Sequence, residues 1–244
     1  MNWKKLQNGS DIRGIAIEGV MGEDVNLTPE VVRMLAQSFV KWLQEETGTE
    51  RPSIAVGTDS RISGPALKAS LVEGFIEGGA KVFDCGIAST PAMFMATVDK
   101  KRPTTAGIMI TASHLPFNRN GLKFFTKNGG LDKKDISAIL SIAESGRFES
   151  ADIKGSVEIY DFMNVYASIL VDYIRKGAGL TDYEQPLKGM KIIVDAGNGA
   201  GGFFATKVLT QLGADISGSQ FLEPDGMFPN HIPNPEDKNA MQSI

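Results

Sequence analysis

The residues of this 244-residue chain best equipped for chemistry stand together: Thr111-Ala112-Ser113-His114-Leu115-Pro116 runs on into Asn118-Arg119-Asn120-Gly121-Leu122-Lys123. A serine hydroxyl is a poor nucleophile at neutral pH, so it needs a neighbouring base or must carry a group that makes it reactive. Phosphoryl transfer depends less on covalent help than on cations around the moving oxygens, because its transition state is loose and spreads negative charge. His114 and Lys123 flank Ser113 in sequence, and the segment reads as a phosphoserine loop. Two further cations sit in compact turns, Arg13 in Asp11-Ile12-Arg13-Gly14 and Arg61 in Gly57-Thr58-Asp59-Ser60-Arg61. Each has an acidic residue two positions away, so a local ion pair is the structural alternative; for Arg13 such a pair would also aim the guanidinium at phosphate. The alternatives for Lys123 and His114 are a surface lysine on an edge strand and a hydrogen-bonded structural histidine.

The flanking patterns place this loop on a sheet. Residues 106–110 (Ala-Gly-Ile-Met-Ile) suit a buried strand and residues 122–126 (Leu-Lys-Phe-Phe-Thr) a second, which leaves the polar residues in the turn between them. Open α/β sheets place ligands at such strand ends. Residues 53–56 form another strand, and residues 63–77 a helix with Leu67, Leu71, Phe75 and Ile76 near helical spacing before Gly78-Gly79. Thr28-Pro29-Glu30 starts a longer helix with Val31, Leu35, Phe39 and Leu43 on one face, and Asp132 precedes a helix buried through Ile136, Ile139, Leu140 and Ala143. Strands alternating with helices predict βαβ units around a largely parallel sheet.

A polar stretch, residues 147–156, then separates this half from a strongly helical segment, residues 161–176, giving domains at 1–157 and 158–244. The second domain opens a new βα unit: a strand at 190–195, the turn Gly197-Asn198-Gly199-Ala200-Gly201-Gly202, a helix at 203–212 and a strand entered through Asp215. The turn imitates a dinucleotide fingerprint, yet the acidic residue that should close the next strand about 20 residues on instead opens it. Backbone N–H groups at the helix start suit an anion there.

Composition narrows the classes further. With 42% hydrophobic and 22% charged residues the chain is ordinary for a globular protein, and a net charge of −4 gives no case for nucleic acid. The single Cys85, in an apolar run, reads as a buried thiol, and one cysteine excludes an intrachain disulfide. The start, Met1-Asn2-Trp3-Lys4-Lys5, leads into polar residues, so neither a signal peptide nor a membrane anchor is expected and the cytoplasm is the expected setting. His114 and His231 lie far apart with no cysteines near either, against a zinc site.

The serine loop followed by Asn120-Gly121-Leu122-Lys123 resembles the α-D-phosphohexomutases, the phosphomannomutases and phosphoglucomutases, whose T-A-S-H-N-P loop precedes N-G-x-K. Asp11-Ile12-Arg13-Gly14, Gly57-Thr58-Asp59-Ser60-Arg61, Val194-Asp195-Ala196-Gly197-Asn198-Gly199 and the run from Asp225 through His231 to Glu236 agree in the family's order. The resemblance implies two successive three-layer α/β domains with mixed, largely parallel sheets, the second incomplete. It implies a phosphorylated Ser113 that passes its phosphoryl group to a bound hexose phosphate, interconverting hexose 1-phosphate and hexose 6-phosphate through a bisphosphate, with hexose 1,6-bisphosphate as activator. Lys123 would be the general acid/base, with His114 and Arg13 as further catalytic groups and Arg61 and Asn120 on phosphate or substrate. Mg²⁺ would belong to the full-length enzyme, its contact here being the Ser113 phosphate.

The departures are Leu115 in place of asparagine, Ser10 where relatives carry an aromatic residue, and three absent segments: the D-G-D-x-D-R magnesium loop, the G-E-x-S-G-H sugar loop and the R-x-S-G-T-E-P phosphate loop. Family members run to about twice this length, and domains of roughly 100–200 residues leave room for two here. The expectation is an N-terminal half that is nearly inactive without domains 3 and 4. The alternative is a non-catalytic half-protein that binds sugar phosphates or docks a complementary half. A serine hydrolase is disfavoured, since no G-x-S-x-G elbow is present. An incomplete second domain would expose an apolar edge that invites self-association.

Overall fold

The computed structural model describes residues 2–179 and 182–244. Two compact units are distinct: Met1–Ala112 with Phe117–Tyr160, and Ser113–Pro116 with Asp161–Ile244. The first is built on one mixed sheet of eight strands: β1 (Gln7–Asn8), β2 (Asp11–Ile15), β3 (Ser53–Thr58), β4 (Lys81–Ile87), β5 (Ala106–Ile110), β6 (Arg119–Thr126), β7 (Gly129–Gly130) and β8 (Ser156–Ile159). Their order is β1-β2-β6-β5-β3-β4-β8, with β7 beside β6. The β5-β3-β4-β8 section is parallel, while β6 runs antiparallel to both β2 and β5.

Helices cover both faces. Those on one side, α1 (Pro29–Thr47), α2 (Gly64–Glu77) and α4 (Lys133–Ser145), share a core with Ile12, Ile54, Val56, Ile108, Ile110, Leu122 and Phe124. Phe39 of α1 is its centre, its ring centroid 4.8 Å from that of Phe124 and 6.2 Å from that of Phe75. On the other side α3 (Thr90–Val98) packs against β3, β5 and β6, with Met93 over Gly57 and Gly107 and Phe94 edge-on to Phe125. This is a three-layer α/β/α arrangement.

The helix starts follow their local signals. Thr28 Oγ1 accepts the Val31 N–H at 3.3 Å with Pro29 in the first turn of α1, and Asp132 and Asp135 form a reciprocal capping box on α4. Thr28→Ala is expected to cost about 1 kcal/mol and Thr28→Ser nearly nothing. Thermal unfolding of the two variants measures it: at roughly 2–4 °C per kcal/mol for a unit of this size, equal midpoints would remove the cap from the account.

Three expectations shift. Asp11-Ile12-Arg13-Gly14, expected as a compact turn, is extended within β2, where Arg13 pairs with Gly121. β6 begins at Arg119, not near residue 122, so Arg119, Asn120 and Gly121 belong to the ladder and the loop is confined to residues 111–118. Lys123 lies on an interior strand, between β2 and β5, rather than on an edge.

The second unit is led by α5 (Phe162–Ala178), capped by Asp161, whose Ala167 and Val171 pack on Val208 and Leu212. The expected helix at 203–212 is a π-helical segment, Phe204–Leu209, and the two expected strands meet only as isolated parallel bridges, Lys191 with Asp215 and Asp195 with Gln220. Four steps on one segment face five on the other. The extra residue is taken up in a turn in which Ser219 N donates to Ile216 O and Gly218 takes φ 96°, while Ser219 Oγ accepts the Val194 N–H at 3.0 Å. A one-residue surplus of this kind interrupts a ladder as a bulge does.

Candidate active site

Alternation along β2 and β6 sets which side chains share a face. Ile12 pairs with Leu122 and both enter the α1 core, so Asp11, Arg13, Gly121 and Lys123 project from the opposite face. There Asp11 Oδ2 accepts from Arg13 Nη2 at 2.9 Å and also from Lys123 Nζ. One carboxylate thus holds two cations side by side, and the local Asp11 pair anticipated for Arg13 is present. Gly121 makes the room: a Cβ there would stand 2.9 Å from Arg13 Cγ and 2.4 Å from Ile12 O.

The stem entering the serine loop is fixed at Thr111. Its N–H donates to Gly121 O at 2.9 Å and its hydroxyl to Asp59 Oδ2 at 2.6 Å. Asp59 also accepts the Arg61 N–H at 3.0 Å and lies 3.3 Å from Arg61 Nε. Arg61 is fully buried, its Nη1 donating to Arg119 O at 3.0 Å. Burial pushes the Asp59 carboxyl above the usual range against the Thr111 and Arg61 bonds, and burial pushes Arg61 down against the pull of Asp59. Arg13 also acts electrostatically on Arg61, so the matched loops bring these two cations within range of one another. Asn120 is equally buried, donating to Ser63 Oγ at 2.8 Å and accepting the Gly121 N–H at 2.8 Å. Both side chains are buried at the foot of the serine loop. At the other stem Glu23 accepts from Asn118 Nδ2 at 2.7 Å and pairs with Arg119, holding the segment between β2 and α1 against the start of β6. The Asn118 bond, with Arg119 beside it, keeps the Glu23 carboxyl below its ordinary range despite some desolvation.

Ser113 takes φ 58°, in the left-handed region that non-glycine residues seldom enter. Such backbone costs free energy and persists where the surroundings over-determine it, often at functional sites. His114 Nδ1 is 3.5 Å from Ser113 Oγ, too long for an efficient general-base contact, and both residues are exposed.

In the second unit Asp195 is a hub. It accepts from Gly197 N at 2.8 Å, Gln220 Nε2 at 3.0 Å and Ser243 Oγ, and faces His231 Nε2 at 3.1 Å. Its burial, which alone would raise the carboxyl, is outweighed by these donors, so it titrates below its usual range. His231 Nδ1 stands 2.9 Å from Ile232 O, so both ring nitrogens face acceptors and only the imidazolium satisfies them together. The Ile232 carbonyl first, then Asp195 and the nearby Asp237, raise His231 above the ordinary 6.5 despite desolvation. A raised histidine stabilises fully below its unfolded value and loses that contribution as pH climbs through the folded value. The thermal midpoint is therefore expected to fall as pH rises above 6.5, and His231→Gln to flatten that slope; parallel profiles for the two proteins would remove His231 from it.

In the first half of the glycine turn the N–H groups are used internally: Gly197 N serves Asp195, Asn198 N serves Phe221 O and Gly199 N serves Ala196 O. Among the described residues no three His, Cys, Asp or Glu side chains gather to hold a metal. Magnesium favours octahedral oxygen coordination, usually carboxylates with a phosphate; a phosphate on Ser113 would be one donor, so these residues do not make a magnesium site by themselves. No helix among the described residues is long and apolar enough to cross a membrane.

Sequence reasoning missed the Lys123 pairing with Asp11, although a strand register of Ile12 with Leu122 puts the two opposite; it also missed Glu23 and the Thr111–Asp59 bond, which join residues 95 and 52 positions apart.

The first unit is a three-layer α/β/α domain in which one carboxylate, Asp11, holds both Arg13 and Lys123. Residues 4–150 match the family profile described as phosphoglucomutase/phosphomannomutase, alpha/beta/alpha domain I, and residues 171–244 that of domain II. The chain belongs to the phosphoglucomutase/phosphomannomutase family. It is 32% identical over 228 residues to a phosphoglucomutase of Neisseria meningitidis, covering 93% of this chain and 46% of that protein. It is 34% identical over 237 residues to a phosphoglucomutase/phosphomannomutase of Thermococcus kodakarensis, covering 96% and 48%. A crystal structure of a family protein from Burkholderia thailandensis superposes with a TM-score of 0.77 at 29% identity, covering 97% of this chain and 48% of that one. The chain spans about half the length of the curated relatives it matches.

Proposed function

We propose that Ser113 carries the phosphoryl group of a phosphohexomutase that interconverts hexose 1-phosphate and hexose 6-phosphate. The observation that carries the reading is the left-handed Ser113 three residues beyond β5, in a chain matching domains I and II of the family. In the forward step a sugar hydroxyl oxygen attacks phosphorus, the bond from phosphorus to Ser113 Oγ breaks, the hydroxyl proton leaves to a base and Oγ is protonated. In the return step the other phosphoryl group of the bisphosphate passes back to Oγ. Lys123 is the group proposed to move these protons, and Asp11 holds its ammonium in place beside Arg13. Arg13 and His114 contribute charge toward the transferred oxygens. Arg61 and Asn120, both buried, serve the geometry of the loop. Magnesium would neutralise phosphate charge in the whole enzyme, and the Ser113 phosphate is the ligand this chain offers.

Because positioning and charge stabilisation supply most of such a rate, residues 1–244 expressed alone are expected to turn over hexose phosphates at a small fraction of the rate of an enzyme with all its domains. The test is incubation of the product of the gene with hexose 1,6-bisphosphate labelled in phosphate, followed by mapping of the labelled peptide. A single phosphate on Ser113 is expected. Saturable binding of hexose phosphates with no label on Ser113 would replace the reading with a non-catalytic binder, and label on another residue would overturn it.

A further inference from the structure

The loop that carries Ser113 hangs from two stems, Thr111 after β5 and Arg119 at the start of β6, and one pair from the β3–α2 connection, a half-buried Asp59 and a fully buried Arg61, reaches both. Asp59 accepts the Thr111 hydroxyl at 2.6 Å, and Arg61 donates to the Arg119 carbonyl at 3.0 Å. The two are joined through the Arg61 N–H at 3.0 Å and through Nε at 3.3 Å. We propose that the Asp59–Arg61 pair is a clasp across the two stems of the serine loop, and that both are positioning residues for phosphoryl transfer. The proposal rests on the reading of Ser113 as the phosphoryl carrier.

Three observations lead here. Arg61 is wholly buried. Burying an ion pair contributes little net stability compared with apolar residues of the same size, so stability alone gives a weak reason for it. One hydrogen bond of the pair reaches each stem of the loop, and the residue that loop displays has φ 58°, which persists only where its surroundings impose it. The guanidinium suits the task, since its planar fork can donate to a carboxylate and a carbonyl at once, which a single ammonium on a flexible stem does less well.

The experiment compares Thr111→Val, Thr111→Ser and Arg61→Lys in the product of the gene. Valine keeps the shape of Thr111 and removes its hydroxyl; serine keeps the hydroxyl; lysine keeps the charge and removes the fork. Two readouts are taken: the rate of labelling of Ser113 from hexose 1,6-bisphosphate with its half-saturating concentration, and amide exchange of the peptide covering residues 111–119. Thr111→Val and Arg61→Lys are expected to slow labelling by about 10- to 100-fold, the scale set by small misplacements of reacting groups, with half-saturation moved far less. Exchange in residues 111–119 should rise while that of α1 stays protected, and Thr111→Ser should match the parent in both. Parent-like rates and exchange in Thr111→Val would overturn the clasp, as would equal damage in Thr111→Ser. If the parent takes no label on Ser113, the functional reading fails by itself and exchange decides the clasp: loosening confined to residues 111–119 upholds it, and unchanged exchange overturns it.

Discussion

Ser113→Ala and Ser113→Gly are both expected to abolish phosphoryl transfer, with turnover lower by on the order of 10⁴ or more, as when a covalent nucleophile is removed. The hydroxyl is the atom on which the proposed transfer depends; His114, its neighbour, is exposed with Nδ1 3.5 Å away. The two variants should differ in stability in an informative way. At an ordinary backbone angle alanine is the more stable by about 0.5–1 kcal/mol, because glycine loses more conformational freedom on folding. At φ 58° alanine instead pays a left-handed cost of roughly 1–2 kcal/mol, so the glycine variant should unfold at the same temperature as the alanine variant or above it. Kinetics and thermal unfolding of the pair separate the two claims. Residual turnover above about one part in a hundred would remove Ser113 from the nucleophile's role, while an alanine variant clearly more stable than the glycine variant would remove the left-handed backbone.

How much of this could be read from sequence depended on how local each cause is. The starts of α1 and α4 were legible because their caps, Thr28 and Asp132, lie within three residues of the N–H groups they satisfy. The β5–β6 pair was legible from its apolar runs, yet the start of β6 was not, because Arg119 and Asn120 look like turn residues until Glu23 and Ser63 are seen to hold them. The pairing of Arg61 with Asp59 was legible because the two stand two positions apart; its full burial was not, since a fully buried arginine is rare and its other partner is a carbonyl 58 residues away. In the second unit the apolar runs gave the right pairing direction, but the surplus residue that reduces the ladder to two bridges leaves no mark on hydrophobic periodicity. The roles proposed for Ser113 and Lys123 came from motif resemblance; what the fold adds is that Lys123 and Arg13 share Asp11.

Gly107→Ala is expected to be among the most destabilising single-methyl changes in the first unit, and Gly177→Ala, the same chemical change, to be stabilising. Gly107 sits in β5 between Ala55 and Phe125, where α3 crosses close to the strand. A Cβ there would stand 2.0 Å from the Met93 carbonyl oxygen and 2.9 Å from its carbon. Those are backbone atoms, so relief requires moving α3 or the strand rather than a flexible side chain. Overpacking typically costs about 1–3 kcal/mol, and with no soft partner the upper end is expected, roughly 6–12 °C in midpoint at 2–4 °C per kcal/mol. The displacement would also reach function, since β5 leads directly into Thr111 and the loop beyond it. Gly177, near the end of α5, has nothing within 4 Å of its would-be Cβ and no positive φ. Alanine there gains helix propensity of up to about 1 kcal/mol. Thermal unfolding of both variants decides the matter. A Gly107→Ala midpoint within a degree or two of the parent would mean that α3 does not approach β5 as closely as this packing requires.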